Sequence, residues 1–134
     1  MNSNISYWIL ASVSALSFFG LGLASMSGFS ALAQGTAEGT IVSMAKGSQS
    51  ADNPEFYVPA ETVVKAGETV TWKNDDTAIH TATSGKDATP DGRFDTSLVS
   101  PGQGSKPITM PNEPGQYPYF CTLHPWMEGT ITVT

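Results

Sequence analysis

Apolar and polar residues alternate in short runs from residue 40 to the end of the chain, and Gly, Pro, Asn and Asp separate the runs. This period of two, without a sustained period of 3.6, predicts short β-strands rather than helices. In the clearest run, ETVTWKN, Val70 and Trp72 would face a core while Thr71 and Lys73 face water. The candidate strands are TIVSMA, TVV, ETVTWKN, SKPITM, QYPYFC and GTITVT.

About seven or eight such strands within residues 41–134 predict an all-β domain, a Greek-key sandwich of two antiparallel sheets. Pro118 interrupts the strand that ends at Cys121. Because proline donates no ladder hydrogen bond, we expect that strand at a sheet edge or with a bulge. The aromatic residues predicted for the core are Trp72, Tyr117 and Tyr119.

The segment before this domain has a different composition, since residues 7–33 contain no charged side chain. As a helix they would rise roughly 40 Å, enough to cross a hydrocarbon core of about 30 Å. We therefore expect an N-terminal hydrophobic helix, with residues 1–33 acting as a cleaved signal peptide that ends in ALA or as an uncleaved membrane anchor. A buried core helix is the remaining alternative. Residues 34–40 would form a linker, and either of the first two roles places the domain outside the cytoplasm, in the periplasm or at the cell surface.

Charge narrows the choice of partners. The chain has 6 basic and 12 acidic side chains, a formal net charge of −6. An acidic surface repels nucleic acid, so a basic partner is the better expectation. The charges of KNDD (73–76) and KDATPDGR (86–93) are expected to be solvated loop charge, with a turn at Asp91–Gly92.

Four side chains offer metal-binding chemistry: His80, Cys121, His124 and Met127. The last three recur at intervals of three residues in a loop after a strand, and a sandwich can bring the loop of His80 to the same end. Two imidazoles, one thiolate and a weak thioether suit copper in both of its common oxidation states. Zinc would recruit further strong ligands, a Cys–His nucleophile pair would need an orienting partner, and ordinary core packing would have to place all four residues by chance.

Residues 40–134 resemble the cupredoxins, the type 1 (blue) copper proteins, and in particular amicyanin and plastocyanin. The resemblance lies in AGETVTWKNDDTAIHTATS (66–84) and PGQYPYFCTLHPWMEGTITV (114–133). It implies one copper ion that cycles between Cu(I) and Cu(II). His80, Cys121 and His124 would be its equatorial ligands and Met127 its axial ligand.

The same resemblance indicates residues around the ligands. Asn74, Thr81 and Phe120 would support them. Thr81 stands where several family members have an asparagine that ties the two ligand loops together. Its N–H is expected to reach the sulfur of Cys121, but the replacement leaves the side-chain tie open. Phe120 stands where plastocyanin has a tyrosine used as an electron portal, so a route here lacks the hydroxyl.

Electron transfer between redox proteins is the function that the resemblance implies, with exit through His124 and a docking ring of Leu123, Pro125 and Trp126. Trp126 could instead pack over the metal. Two alternatives stay open: a copper oxidoreductase with an open axial position in place of Met127, and a copper carrier. The expected partner is a redox protein with a basic docking patch, and residues 7–33 would provide any membrane association.

Overall fold

The computed structural model describes residues 39–134, and these residues form nine β-strands. Their bounds are β1 Thr40–Met44, β2 Tyr57–Val58, β3 Glu61–Val64, β4 Thr69–Asn74, β5 Thr83–Lys86, β6 Thr89–Asp95, β7 Ile108–Thr109, β8 Gly115–Phe120 and β9 Glu128–Val133. No helix in the described part of the chain is long and apolar enough to cross a membrane. The predicted N-terminal helix and the signal or anchor at residues 1–33 lie outside the described residues.

The strands form two sheets, in the orders β2-β1-β4-β7 and β3-β9-β8-β5-β6. The all-β sandwich is therefore confirmed, but the expectation of purely antiparallel sheets is wrong. β1 pairs with β4 in parallel, and β3 pairs with β9 in parallel. Parallel neighbours need a crossover, and here the chain passes through the other sheet before it returns beside its earlier strand.

The core lies between the sheets. Alternate residues of β4 point inward, so that Val70 and Trp72 are fully buried, as the alternation predicts. Trp72 meets Tyr119 of the second sheet with ring centroids 5.4 Å apart, and Tyr119 meets Tyr57 at 4.7 Å. The three predicted core aromatics are all buried, including Tyr117 at 4% exposure.

Of the two alternatives for the strand of Pro118, the edge strand is wrong, because β8 lies inside its sheet, and a register shift occurs in the neighbouring strand β5. The partner of Pro118 in β9 is Thr130, whose N–H donates to Ala60 on the far side of β9. The nitrogen of Pro118 consequently faces β5, but the pairing of β5 with β8 has already ended at Ser84 and Tyr119. No ladder donor is missed, because no residue of β5 pairs with Pro118.

The segment predicted as turns and solvated charge forms the hairpin of β5 and β6. Its turn is at Asp87 and Ala88, with φ of 50° and 57°, and not at Asp91–Gly92, which lies inside β6. Two successive residues with positive φ are what a two-residue hairpin connection requires. This hairpin places Thr83 next to β8 and so next to the loop that follows it.

Candidate metal centre

Two loops at one end of the sandwich carry the predicted ligands. His80 follows β4 and forms an isolated bridge with Val99, with backbone hydrogen bonds of 3.2 and 2.8 Å. Cys121 follows β8 directly, and the next six residues return the chain to β9. Within this ligand loop the N–H of Cys121 donates to Met127 at 3.1 Å and the N–H of Met127 donates to His124 at 2.9 Å. These backbone hydrogen bonds therefore fix the conformation of the loop without the help of a metal ion.

The structure brings His80, Cys121 and His124 together, with one ligand atom of each within 4.8 Å of the others. The Sγ atom of Cys121 lies 3.7 Å from Nδ1 of His80 and 3.7 Å from Nδ1 of His124. His80 and Cys121 are fully buried, whereas His124 is half-buried. Met127 is fully buried at the end of the same loop.

The surroundings of Cys121 favour its anionic form. Burial raises the pKa of the thiol, but hydrogen bonds from His80, from the Thr81 N–H and from His124 outweigh it and lower the pKa to about 6. A thiol with this pKa is mostly thiolate at neutral pH. It is thus ready to bind a metal ion without first losing a proton.

A buried carboxylate holds the other side of His80. Asp76 Oδ2 lies 2.8 Å from Nε2 of His80, and the Asp76 side chain is 1% exposed. Burial lowers the pKa of His80, but its hydrogen bonds with Cys121 and Asp76 outweigh it and raise the pKa above the usual value. The expectation of solvated charge at KNDD is therefore wrong for Asp76. It holds for Asp75, which pairs with Lys73 at the surface.

A turn between β1 and β2, together with the N–H of the next residue in the chain, satisfies this carboxylate. The N–H groups of Gly47, Gln49 and Thr77 donate to Asp76 at 2.8, 3.0 and 2.8 Å. Burial raises the pKa of Asp76, but these donors and His80 outweigh it and hold the pKa well below its usual range. The residues of this turn were not among the sequence predictions.

Asn74 is fully buried and hydrogen-bonds to the loop that carries His80. Its amide nitrogen donates to the carbonyls of Ala78 and Val99, both at 2.8 Å, and its amide oxygen accepts the N–H of Asp76 at 2.9 Å. The Asn74 side chain thus joins the segment that precedes His80 to Val99, the bridge partner of His80. Through these contacts it can support the loop that carries His80.

Thr81 contacts both ligand loops. Its N–H donates to the sulfur of Cys121 at 3.3 Å, as expected. Its hydroxyl oxygen accepts the N–H of Thr122 at 3.0 Å, and this contact supplies the side-chain tie that the sequence left open. The hydroxyl of Tyr57 donates to the Thr81 carbonyl at 2.5 Å, so all three polar groups of Thr81 are occupied.

Phe120 and Trp126 differ in exposure. Phe120 is 3% exposed and lines a groove of about 280 Å³ together with Lys86, Asp87 and Glu128. Trp126 is 40% exposed, yet its ring lies edge-on to His124 at 5.3 Å and its N–H donates to Ser48 O at 3.1 Å. It therefore contacts the site and solvent at once.

The remaining residues of the predicted docking ring lie at the surface beside His124. Leu123 is 51% exposed, and Pro125 is exposed too. Together with Trp126 they present apolar surface around a half-buried imidazole.

Comparison with known proteins gives matches at the level of family and fold. The family model for the cupredoxin-like domain matches residues 18–133. An amicyanin of Paracoccus versutus is 38% identical over 77 residues, which are 58% of this chain and 57% of that protein. The chain thus spans a little over half the length of that relative. A plastocyanin of Scenedesmus fuscus is 34% identical over 85 residues, 58% of this chain and 85% of that protein.

Solved structures agree with these relatives. A purple cupredoxin from Nitrosopumilus maritimus superposes with a TM-score of 0.65 and 28% identity, over 71% of this chain and 99% of that one. A reduced Cu(I) form of an amicyanin variant superposes with a TM-score of 0.56 and 27% identity, over 72% of this chain and 83% of that one.

Proposed function

The chain belongs to the cupredoxin-like family, and from this membership we propose that it is a copper electron-transfer protein that passes one electron at a time between redox partners. The cluster of His80, Cys121 and His124 carries the proposal, because the ligand atoms converge within 4.8 Å of one another. Two imidazoles with one thiolate are a donor set that suits copper. The residues present therefore fit the metal that the family implies.

In this proposal His80, Cys121 and His124 would hold one copper ion, and the thioether of Met127 would supply a fourth, weaker donor. When bound, copper supplies a couple between Cu(I) and Cu(II). The chain contributes a preformed thiolate at Cys121 and imidazoles whose positions are fixed before the metal arrives. Asn74, Thr81 and Asp76 hold the ligand loops on a close-packed sandwich, which limits how far the ligands move. Small movement favours fast electron transfer.

His124 is the proposed exit for the electron, because it is the half-buried member of the cluster. The apolar surface of Leu123, Pro125 and Trp126 around it suits brief docking, in which a small and weak interface separates quickly. The net charge of −6 would speed encounter with a partner that carries a basic patch. The rate should then fall as salt increases.

The charge proposal can be tested with small redox probes. Reduced protein would be oxidised by an anionic hexacyanoferrate complex and by a cationic cobalt complex over a range of ionic strengths. Rising salt should speed the first reaction and slow the second. Equal salt dependence for the two probes would contradict steering by the acidic surface.

We further propose that the domain works outside the cytoplasm, since the uncharged stretch of residues 7–33 is expected to act as a signal or an anchor. Cell fractionation, together with mass determination of the mature N-terminus, tests this. A full-length chain recovered with the cytoplasmic proteins would contradict it.

Copper titration of the purified chain, with visible absorption and EPR on the same sample, tests the central proposal. One equivalent of Cu(II) should give intense charge-transfer bands, a narrow hyperfine splitting and a reversible one-electron wave in voltammetry. Cys121→Ser should abolish the bands. A pale product with ordinary tetragonal copper signals, or the absence of stoichiometric binding, would contradict the proposal.

A matched pair of variants tests the axial position. Met127→Leu should change the band pattern, whereas Met110→Leu, which alters a core methionine of 1% exposure, should not. An unchanged spectrum in Met127→Leu would mean that the axial position is open. That result would favour the alternative function, a copper oxidoreductase, over electron transfer.

A further inference from the structure

A line of three threonine hydroxyls runs from Asp95 to the loop that carries Cys121. Oγ1 of Thr83 lies 3.0 Å from Oδ1 of Asp95 and 3.1 Å from Oγ1 of Thr81. Oγ1 of Thr81 in turn lies 3.2 Å from Oγ1 of Thr122. Thr81 and Thr83 are buried at 4% and 5% exposure, whereas Asp95 and Thr122 are exposed.

The carboxylate of Asp95 fixes the direction of these hydrogen bonds. An ionised carboxylate only accepts, and a threonine hydroxyl has a single hydrogen to donate. The hydrogen of Thr83 is therefore shared between Asp95 and Oγ1 of Thr81, which both accept from it. Oγ1 of Thr81 thus accepts from Thr83 and from the N–H of Thr122, and its own hydrogen is left for the hydroxyl of Thr122.

This direction matters because Thr122 is the residue after Cys121. Thr81 holds the Cys121 sulfur through its N–H and the following peptide through its hydroxyl oxygen. Its carbonyl accepts from the hydroxyl of Tyr57, so the backbone of Thr81 is held as well. Without the hydrogen from Thr83, Oγ1 of Thr81 would lose one of the contacts that hold it opposite the Thr122 N–H.

The sheet register explains how a distant carboxylate reaches this tie. Thr83 pairs with Asp95 on β6 and with Phe120 on β8. The hydroxyl line thus crosses the sheet at the level where β8 ends and the ligand loop begins.

We propose that Asp95 and Thr83 are positioning residues for Cys121. They orient the hydroxyl of Thr81 so that it clamps the peptide after the ligand. Neither residue touches the ligand atoms, and both act through Thr81. The proposal rests on the proposed function only in taking Cys121 as a metal ligand, because the clamp itself is a property of the protein without metal.

Amide hydrogen exchange of Thr122, measured by NMR on the full chain without copper, tests the clamp directly. Thr83→Val removes the hydroxyl at nearly constant volume and should speed exchange at Thr122 by about five- to tenfold, since one net hydrogen bond is weakened. Thr83→Ser should restore slow exchange. Thr89→Val is the matched control, because it removes an exposed threonine hydroxyl from the neighbouring strand and should leave Thr122 unchanged.

Asp95→Ala removes the acceptor at the other end and should also speed Thr122 exchange, with the fold checked by its circular dichroism spectrum. In the copper-loaded protein, Thr83→Val and Asp95→Ala should both shift the thiolate charge-transfer band, while Thr89→Val should not. Unchanged Thr122 exchange in folded Thr83→Val and Asp95→Ala would overturn the proposal. Failure of the wild-type chain to bind copper would instead overturn the proposed function, since the exchange result stands without metal.

Discussion

Asp76 and His80 share a hydrogen bond of 2.8 Å between Oδ2 and Nε2, on the side of the imidazole opposite the Nδ1 that faces Cys121. A carboxylate oxygen only accepts hydrogen bonds, so Nε2 carries a hydrogen, and in the neutral ring Nδ1 is the nitrogen that can bind a metal. The carboxylate is itself held by three backbone N–H groups. The ring orientation of His80 is therefore fixed by the turn between β1 and β2.

Replacing Asp76 by asparagine should weaken copper binding by about 10- to 100-fold, the usual effect of losing a partner that orients a metal-binding histidine. The neutral amide accepts a weaker hydrogen bond from the imidazole. Its NH2 group would also face backbone N–H groups that donate to a carboxylate oxygen in the wild type. Competition titration against a chelator measures the affinity, and the reduction potential should rise because a buried negative charge no longer favours Cu(II).

Asp75→Asn is the matched control for this variant. Asp75 is the adjacent carboxylate, but it pairs with Lys73 and Ser43 at the surface. Its replacement should leave copper affinity unchanged. Equal losses in the two variants would mean that general charge, rather than the bond to His80, is responsible.

The same substitution should destabilise the copper-free protein in a pH-dependent way. The folded-state pKa of Asp76 lies below its unfolded value, so its contribution to stability is present above the unfolded pKa of about 4 and is lost as the pH falls toward the folded pKa. At pH 5 we expect Asp76→Asn to cost about 3 kcal/mol, as for a broken buried charge pair.

Urea unfolding of both proteins between pH 5 and pH 3 measures this cost, which should shrink as the pH falls. A difference that stays constant down to pH 3 would contradict the linkage.

The approach of Cys121 and His124 to each other could be predicted from the sequence because C-x-x-H is local, and a short loop after a β-strand sets its geometry. Asp76 could not be predicted in the same way. It stands beside Asp75 in a run that looks solvated, and its burial depends on N–H groups from a turn 27 to 29 residues earlier. Its only local signal is its position four residues before His80.

The strands show the same division between local and long-range information. The alternation of β4 and β9 is local, whereas their parallel pairings depend on which sheet the intervening chain enters. The β5–β6 hairpin was missed because its turn uses Asp87 and Ala88 at positive φ, without the glycine that usually marks such a turn. The tie through Thr81 likewise required knowing that β5 lies beside β8.

Gly129 should be intolerant of a side chain. A methyl group there would lie 2.5 Å from the hydroxyl oxygen and from the Cζ atom of Tyr119. Tyr119 is 1% exposed and packed against aromatic rings, so it cannot move away. Gly129→Ala should therefore lower the free energy of unfolding by about 1–3 kcal/mol.

Gly104→Ala is the control for that substitution, because its methyl would make only ordinary contact with Thr71 at 3.7 Å. Thermal unfolding of both variants gives the comparison. A melting temperature of Gly129→Ala equal to that of Gly104→Ala would show that the aromatic cluster can repack.

Trp126 should control how far solvent reaches His124. Its ring lies edge-on to the imidazole, and its N–H is anchored on Ser48. In the copper-free protein, Trp126→Ala should speed the reaction of His124 with diethylpyrocarbonate several-fold, because the covering ring is removed. Trp126→Phe keeps a ring but loses the hydrogen bond to Ser48, so His124 should react at a rate between those of the wild type and Trp126→Ala.

Peptide mass spectrometry follows the modification of both histidines, and fully buried His80 serves as the internal control. Equal rates in the wild type and Trp126→Ala would show that the indole does not shield the site.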